Sequence, residues 1–154
     1  MDEFFNDEYY MGQAIAEARA AAAAGEIPIG AVVVGGGRVL GRGHNQTERL
    51  SDVTAHAEML AIGAAAQALG GKYLKGCTLY VTVEPCPMCA GAIGWSQIGR
   101  VVIGASDSKR GYSTILKAGS TPFHPRATVT WGVREPECRA IMQDFFLTKR
   151  INKR

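Results

Sequence analysis

The sequence of 154 residues has no apolar run approaching the roughly 18 residues a membrane helix needs, because polar or charged side chains interrupt every candidate stretch. No membrane-spanning helix is expected. Nor is a secretory leader expected: residues 1–10 carry Asp2, Glu3, Asp7 and Glu8 where a signal peptide carries positive charge. Internal repeats and low-complexity linkers are absent. Charged residues reach only 20% beside 47% hydrophobic ones, which excludes a disordered chain. Four cysteines are too few for a disulfide scaffold, and a chain of this length buries roughly 70% of its unfolded surface without one. These features predict a soluble, cytoplasmic protein forming one domain over residues 1–154. Its cysteines are then expected to be free, metal-bound or catalytic.

What is present alternates between helix and strand patterns. Tyr10, Ala14, Ala18 and Ala21 recur at helical spacing in an Ala-rich stretch, and Gly25 is placed to end that helix. Strand-like runs at 29–34 and 38–43, joined by Gly35-Gly36-Gly37, read as a hairpin. These glycines are not a phosphate loop, since neither a helix nor a Lys-Ser/Thr pair follows them. Residues 52–69 read as a loop and then a helix, 77–83 as a strand, 87–96 as a short helix and 100–105 as a strand. Helical character returns around 113–118 within the segment 106–123. A last strand is expected at 127–132, and a C-terminal helix at 135–151 with Ile141, Phe145 and Phe146 on its buried side. The order predicts an α/β fold in three layers, α-β-α, with a central five-stranded mixed sheet and helices on both faces.

The chemistry concentrates in His56-Ala57-Glu58 and Pro85-Cys86-Pro87-Met88-Cys89. Cys86 and Cys89 lie three apart, on one face of a helix turn, and Pro87 suits the first helical position. That places Cys86 at the helix start, where the helix dipole favours a thiolate. Two thiolates and an imidazole are donors that zinc prefers. His56 and Glu58, two apart, face one metal only if they sit at a helix start, for which Thr54 is a candidate N-cap. A structural zinc site is closed by four protein ligands, whereas a catalytic site keeps one position for water. Cys77 lies about 20 Å from the far end of its strand and is a poor fourth ligand. Cys138, in the C-terminal helix, is not excluded by spacing but reads as a buried hydrophobe. The pattern therefore favours an open site, with Glu58 as its proton carrier.

With these residues in view, the chain resembles the cytidine deaminase superfamily and, within it, the bacterial tRNA-specific adenosine deaminases. The resemblance runs over about residues 9–150. It is carried by the zinc motifs and by Gly25-Glu26-Ile27-Pro28-Ile29-Gly30-Ala31, Gly43-His44-Asn45, Asp107-Ser108-Lys109 and Asp144-Phe145-Phe146. It implies one zinc ion per subunit, held by His56, Cys86 and Cys89 with water as fourth ligand. It implies Glu58 as the catalytic proton carrier in hydrolytic deamination of the wobble adenosine of a tRNA anticodon to inosine. It further implies substrate contacts from Asn45 to the flipped base, from Ile29 in the pocket wall and from Asp107 to a neighbouring ribose. Lys109, Phe145, Lys149 and Arg150 complete the expected substrate-binding set. Members of this branch are homodimers, so a homodimer is expected.

The segment 110–126 departs from the family pattern, with only His124-Pro125 recognisable. A zinc deaminase of a free nucleobase or nucleoside is therefore the alternative. A non-enzymatic, zinc-stabilised RNA-binding module is a third reading, and it would be indifferent to loss of Glu58. The charge distribution bears on the choice: residues 1–99 hold 6 basic and 10 acidic side chains, residues 100–154 hold 11 and 4. The basic tail at 149–154, with Lys149, Arg150, Lys153 and Arg154, suits either a polyanionic partner or the negative end of a helix dipole. His44, Cys77 and Cys138 read as structural residues, and Trp95 and Trp131 as core or dimer-interface residues. Glu84 reads either as an orienting group behind the zinc ligands or as a plain strand-end carboxylate.

Overall fold

The computed structural model describes residues 5–117 and 120–152; Asp2, Glu3, Lys153 and Arg154, named above, and the last residue of the expected 113–118 helix lie outside them. Helix α1 (Asp7–Ala23) starts where the Asn6 side chain accepts the Tyr9 N–H, and Gly25 beyond its end adopts a left-handed φ of 78°. Strands β1 (Gly30–Gly35) and β2 (Arg38–His44) form the expected hairpin. Gly36 and Gly37 both have positive φ, as a two-residue hairpin turn of the tightest kind demands. Then come α2 (Ala57–Leu69), β3 (Thr78–Val83), α3 (Pro87–Trp95), β4 (Arg100–Ala105), α4 (Tyr112–Ile115), β5 (Thr128–Trp131) and α5 (Glu135–Asn152).

The strands form one sheet in the order β2-β1-β3-β4-β5, antiparallel on the hairpin side and parallel from β3 to β5. Strands buried on both faces are read as continuous apolar runs, and β1, β3 and β4 are such runs. Their odd-numbered residues Ala31, Val33, Leu79, Val81, Val101 and Ile103 pack with Ala57, Ala61, Ala90 and Ile93 of α2 and α3. Their even-numbered residues Val32, Val34, Tyr80 and Val102 pack with Tyr10, Met11, Ala14, Cys138 and Ile141 of α1 and α5. Each such aliphatic side chain contributes about 1.5–3 kcal/mol by leaving water.

Helix α2 lies unusually close to β2. A Cβ at Gly41 or Gly43 would meet the backbone of Ala61 and Ala65, or of Ala57 and Ala61. An alanine stripe thus rests directly on strand glycines. The topology also fixes where the site must be. β2, β3 and β4 all run the same way and β1 runs oppositely, so Ile29, Asn45, Glu84 and Asp107 emerge at one sheet edge. That edge, outside the carboxyl ends of parallel strands, is where open α/β sheets bind ligands.

Four expectations need correcting. Thr54 does not cap α2: its N–H and hydroxyl both go to Asp52, and His56 itself occupies the N-cap position. Of the core and dimer-interface readings of Trp95 and Trp131, the core one fails, as they are 85% and 45% exposed. On α5, Ile141 is buried and Phe145 half-buried as expected, but Phe146 is 40% exposed, because adjacent helical residues cannot share a face. Between β4 and β5, the helical turn is shorter than expected; Tyr112 and Phe123 anchor this segment with an edge-to-face contact at 4.9 Å.

Candidate active site

His56 and Cys86 occupy equivalent places at the starts of α2 and α3. Both have extended backbone, with ψ of 156° and 168°, and neither side chain caps its own helix. Each is therefore released to point away from its helix. Pro87 takes the first helical position, and Cys89 follows one turn after Cys86. His56 Nδ1 lies 3.7 Å from Cys86 Sγ and 3.5 Å from Cys89 Sγ. A tetrahedral zinc with Zn–N near 2.05 Å and Zn–S near 2.3 Å requires an N···S separation of about 3.6 Å. The donor set fits zinc, and among the described residues these three form the only cluster of metal-ligating side chains. Cys77 and Cys138 are buried in the two halves of the core instead.

The electrostatics of the cluster follow from this crowding. Contact with Cys89, then with His56, holds the Cys86 thiol down to about 4, while Cys86 and burial push Cys89 up. Hydrogen bonding with Cys86 raises His56. Glu58 is the second residue of α2 and is buried; loss of water pushes its carboxyl up to about 7. A group of that kind exchanges protons near neutral pH.

A cavity of about 540 Å³ opens over His56, Glu58 and Cys86, within the range of ligand sites. Of the expected substrate-binding residues, Ile29, Asn45, Asp107, Lys109 and Arg150 line it. Phe145 and Lys149 do not: Lys149 lies 5.1 Å over the Phe145 ring, and Phe146 lines the cavity in its place. Ile27, Thr47, Arg110 and Met142 are further lining residues that the sequence did not single out. Asn45 is buried and its Oδ1 accepts the Thr47 N–H, while its amide N–H₂ meets no acceptor among the described residues. Asp107 Oδ1 accepts the N–H groups of Lys109 and Arg110, so part of its carboxylate holds its own turn. His44 is outside the cavity, paired with Glu17 at 3.2 Å.

Glu84 orients no zinc ligand directly. Its carboxylate grips the loop after β4, accepting the Asp107 N–H and both the N–H and hydroxyl of Ser113. Glu26 likewise grips the Glu48 and Arg49 N–H groups and escaped sequence reasoning. The available signal was a carboxylate set among apolar, Gly and Pro residues next to a strand, as in Gly25-Glu26-Ile27-Pro28.

Three protein donors with one direction left open, beside a buried carboxyl group, define a hydrolytic rather than a structural zinc centre. The comparison with known proteins narrows that class. Residues 5–105 match the cytidine and deoxycytidylate deaminase zinc-binding region, and the chain belongs to that family. It is 47% identical over 150 residues to the tRNA-specific adenosine deaminase of Bacillus subtilis, covering 96% of this chain and 93% of the relative. A solved structure from work on A-to-I editing by tRNA:A34 deaminases at the wobble position of transfer RNA superposes with a TM-score of 0.79. It is 43% identical, over 86% of this chain and 98% of the other. A guanine deaminase from Nitrosomonas europaea gives 0.77 at 27% identity, over 90% and 83%.

Proposed function

We propose that the protein deaminates adenosine to inosine at the wobble position of a tRNA anticodon. One observation carries this reading beyond the kinship with tRNA-specific deaminases. Lys109, Arg110 and Arg150 all line the cavity, and none has a carboxylate within ion-pair distance among the described residues. Unpaired cations around a site for a flat base suit a nucleotide held within a phosphodiester chain. An anticodon loop supplies such a base already unpaired, which lowers the cost of extruding it.

In this reading zinc, when bound by His56, Cys86 and Cys89, supplies the Lewis acidity that activates water. Glu58 takes a proton from the attacking water and delivers it to N1 of the adenine ring. Water oxygen adds at C6 and the C6–N bond breaks. Glu58 then takes the proton of the new C6 hydroxyl, which becomes the carbonyl, and passes it to the amino group, which leaves as ammonia, so adenosine and water become inosine and ammonia. Asn45 presents its amide to the base, Ile27 and Ile29 wall the ring, and Phe146 offers an aromatic face at the mouth. Asp107 lies where a neighbouring ribose passes. The protein acts as a cytoplasmic homodimer in this reading; Val53 and Trp95, 83% and 85% exposed, are the most exposed large apolar side chains among the described residues and suit a protein contact.

The test offers zinc-loaded protein an anticodon stem-loop with adenosine at the wobble position. Free guanine, adenine, cytosine and their nucleosides are offered separately, with Glu58→Ala as control. Inosine in the RNA, absent from the control, is the expected result. Ammonia from a free base with the RNA untouched would establish small-molecule deamination instead. Function retained by Glu58→Ala would leave only an RNA-binding module.

A further inference from the structure

Two buried carboxylates flank the cavity without entering the chemistry. Glu26, 3% exposed before β1, accepts the N–H of Glu48 through Oε1 at 3.1 Å and that of Arg49 through Oε2 at 2.8 Å. Glu84, 4% exposed after β3, accepts the Asp107 N–H through Oε1 at 3.1 Å. Its Oε2 accepts the Ser113 N–H at 2.9 Å and the Ser113 hydroxyl at 2.6 Å. Neither is within ion-pair distance of a cationic side chain among the described residues.

Burying a carboxylate without a cation is costly, and here the compensation comes from backbone N–H groups and one hydroxyl. The grip is also exclusive in shape. A Cβ at Gly111 would collide with the Glu84 carboxyl, so this loop closes on Glu84 only with glycine there. The two loops follow strands that β1 and β3 separate in the sheet, and both wall one cavity. The loop after β2 brings Asn45 and Thr47, and the loop after β4 brings Asp107, Lys109 and Arg110.

We infer that Glu26 and Glu84 are positioning residues that set these two walls separately. Glu26 fixes the wall that meets the target base, and Glu84 fixes the wall that meets the flanking sugar-phosphate chain. The assignment of ligand to each wall rests on the RNA reading above. A glutamine in either place keeps the size but turns an N–H₂ donor toward backbone N–H groups, so one of the two acceptors is lost.

The experiment uses full-length, zinc-loaded Glu26→Gln, Glu84→Gln and Ser113→Ala. It measures zinc content, kcat and KM on the anticodon stem-loop, and amide hydrogen exchange. Glu84→Gln is expected to raise KM about tenfold with kcat within about threefold, the loss of one charge-assisted contact at a binding wall. Ser113→Ala, which removes one donor of three and spares the fold, is expected to raise KM about two- to threefold. Glu26→Gln is expected to lower kcat about tenfold with KM within about threefold, because it displaces groups around the reacting base. Exchange should quicken at Asp107 and Ser113 only in Glu84→Gln, and at Glu48 and Arg49 only in Glu26→Gln. Zinc loss in either variant, the same kinetic parameter moved by both, or unchanged exchange at the gripped amides would overturn the inference. A wild type inactive on the stem-loop would sink the substrate reading alone, and exchange would still decide whether the grips exist.

Discussion

Replacing Gly43 by alanine places a methyl group between β2 and the first turn of α2. The new Cβ would stand 2.7 Å from Ala61 N, 2.9 Å from Leu60 Cβ, and closer still to the Ala57 carbonyl oxygen. Two of these are main-chain atoms and cannot swing aside. Restoring ordinary contact at 3.4 Å moves the helix start by about 0.7 Å or more. Ala57 sits between His56 and Glu58, so both are carried along. Overpacking of this kind costs about 1–3 kcal/mol, which for a chain of this size lowers Tm by roughly 2–12 °C. A displacement approaching 1 Å at a reacting group costs about 10–100-fold in kcat. Thermal melts and stem-loop deamination of zinc-loaded variants measure both effects. Two controls sharpen them. Gly41→Ala presses on Ala61 and Ala65, a turn farther along, and should cost similar stability with less activity. Gly63→Ala meets nothing within 4 Å on the exposed side of α2 and should stabilise by about 0.5–1 kcal/mol, as alanine exceeds glycine in helices. A Gly43→Ala variant as stable and active as wild type would refute the close seam between helix and strand.

Other outcomes follow from the same geometry. Cys86→Ala/Cys89→Ala should retain no tight zinc by elemental analysis and should melt lower than the zinc-loaded wild type, since ligation is coupled to folding. Asp7 is held below its ordinary carboxylate range by Arg100, at 2.7 and 2.6 Å, with Tyr80 hydroxyl as a further donor. Its contribution is therefore present above pH 4 and lost as pH falls through the lowered value. Asp7→Asn should cost about 1 kcal/mol at pH 7 by denaturant unfolding, and the difference should vanish in acid. Arg110→Ala and Arg150→Ala should each weaken RNA binding and reduce the slope of log affinity against log salt by about 1 per lost phosphate contact.

Much of this was legible from residue order, and what was not has a common cause. The apolar runs of β1, β3 and β4 announce a sheet covered on both faces, and the twin glycines announce the hairpin. His56, Glu58, Cys86 and Cys89 stand out because short spacings at helix starts restrict what their side chains can do. The choice of Phe146 over Phe145 was hidden because it depends on the rotation of α5 against the sheet, which sequence leaves open by one residue. Glu26, and what Glu84 holds, were hidden for a different reason. All but one of their partners, the Ser113 hydroxyl, are backbone amides 22 to 29 residues away, and backbone amides carry no residue identity.

The split of the donor set between two helix starts has a consequence for the order of assembly. The hairpin and α2 are joined by local contacts and hold only the imidazole; β3 and α3 hold only the two thiolates. These halves meet through the pairing of β1 with β3, in which Ala31 lies beside Val81, fifty residues onward. Closing so distant a pair is a slow step, taken after local structure has formed. Neither half alone can offer zinc its complete ligand set. Tight metal uptake therefore requires that β1 and β3 have already paired, so zinc retention reports on a contact between distant parts of the chain.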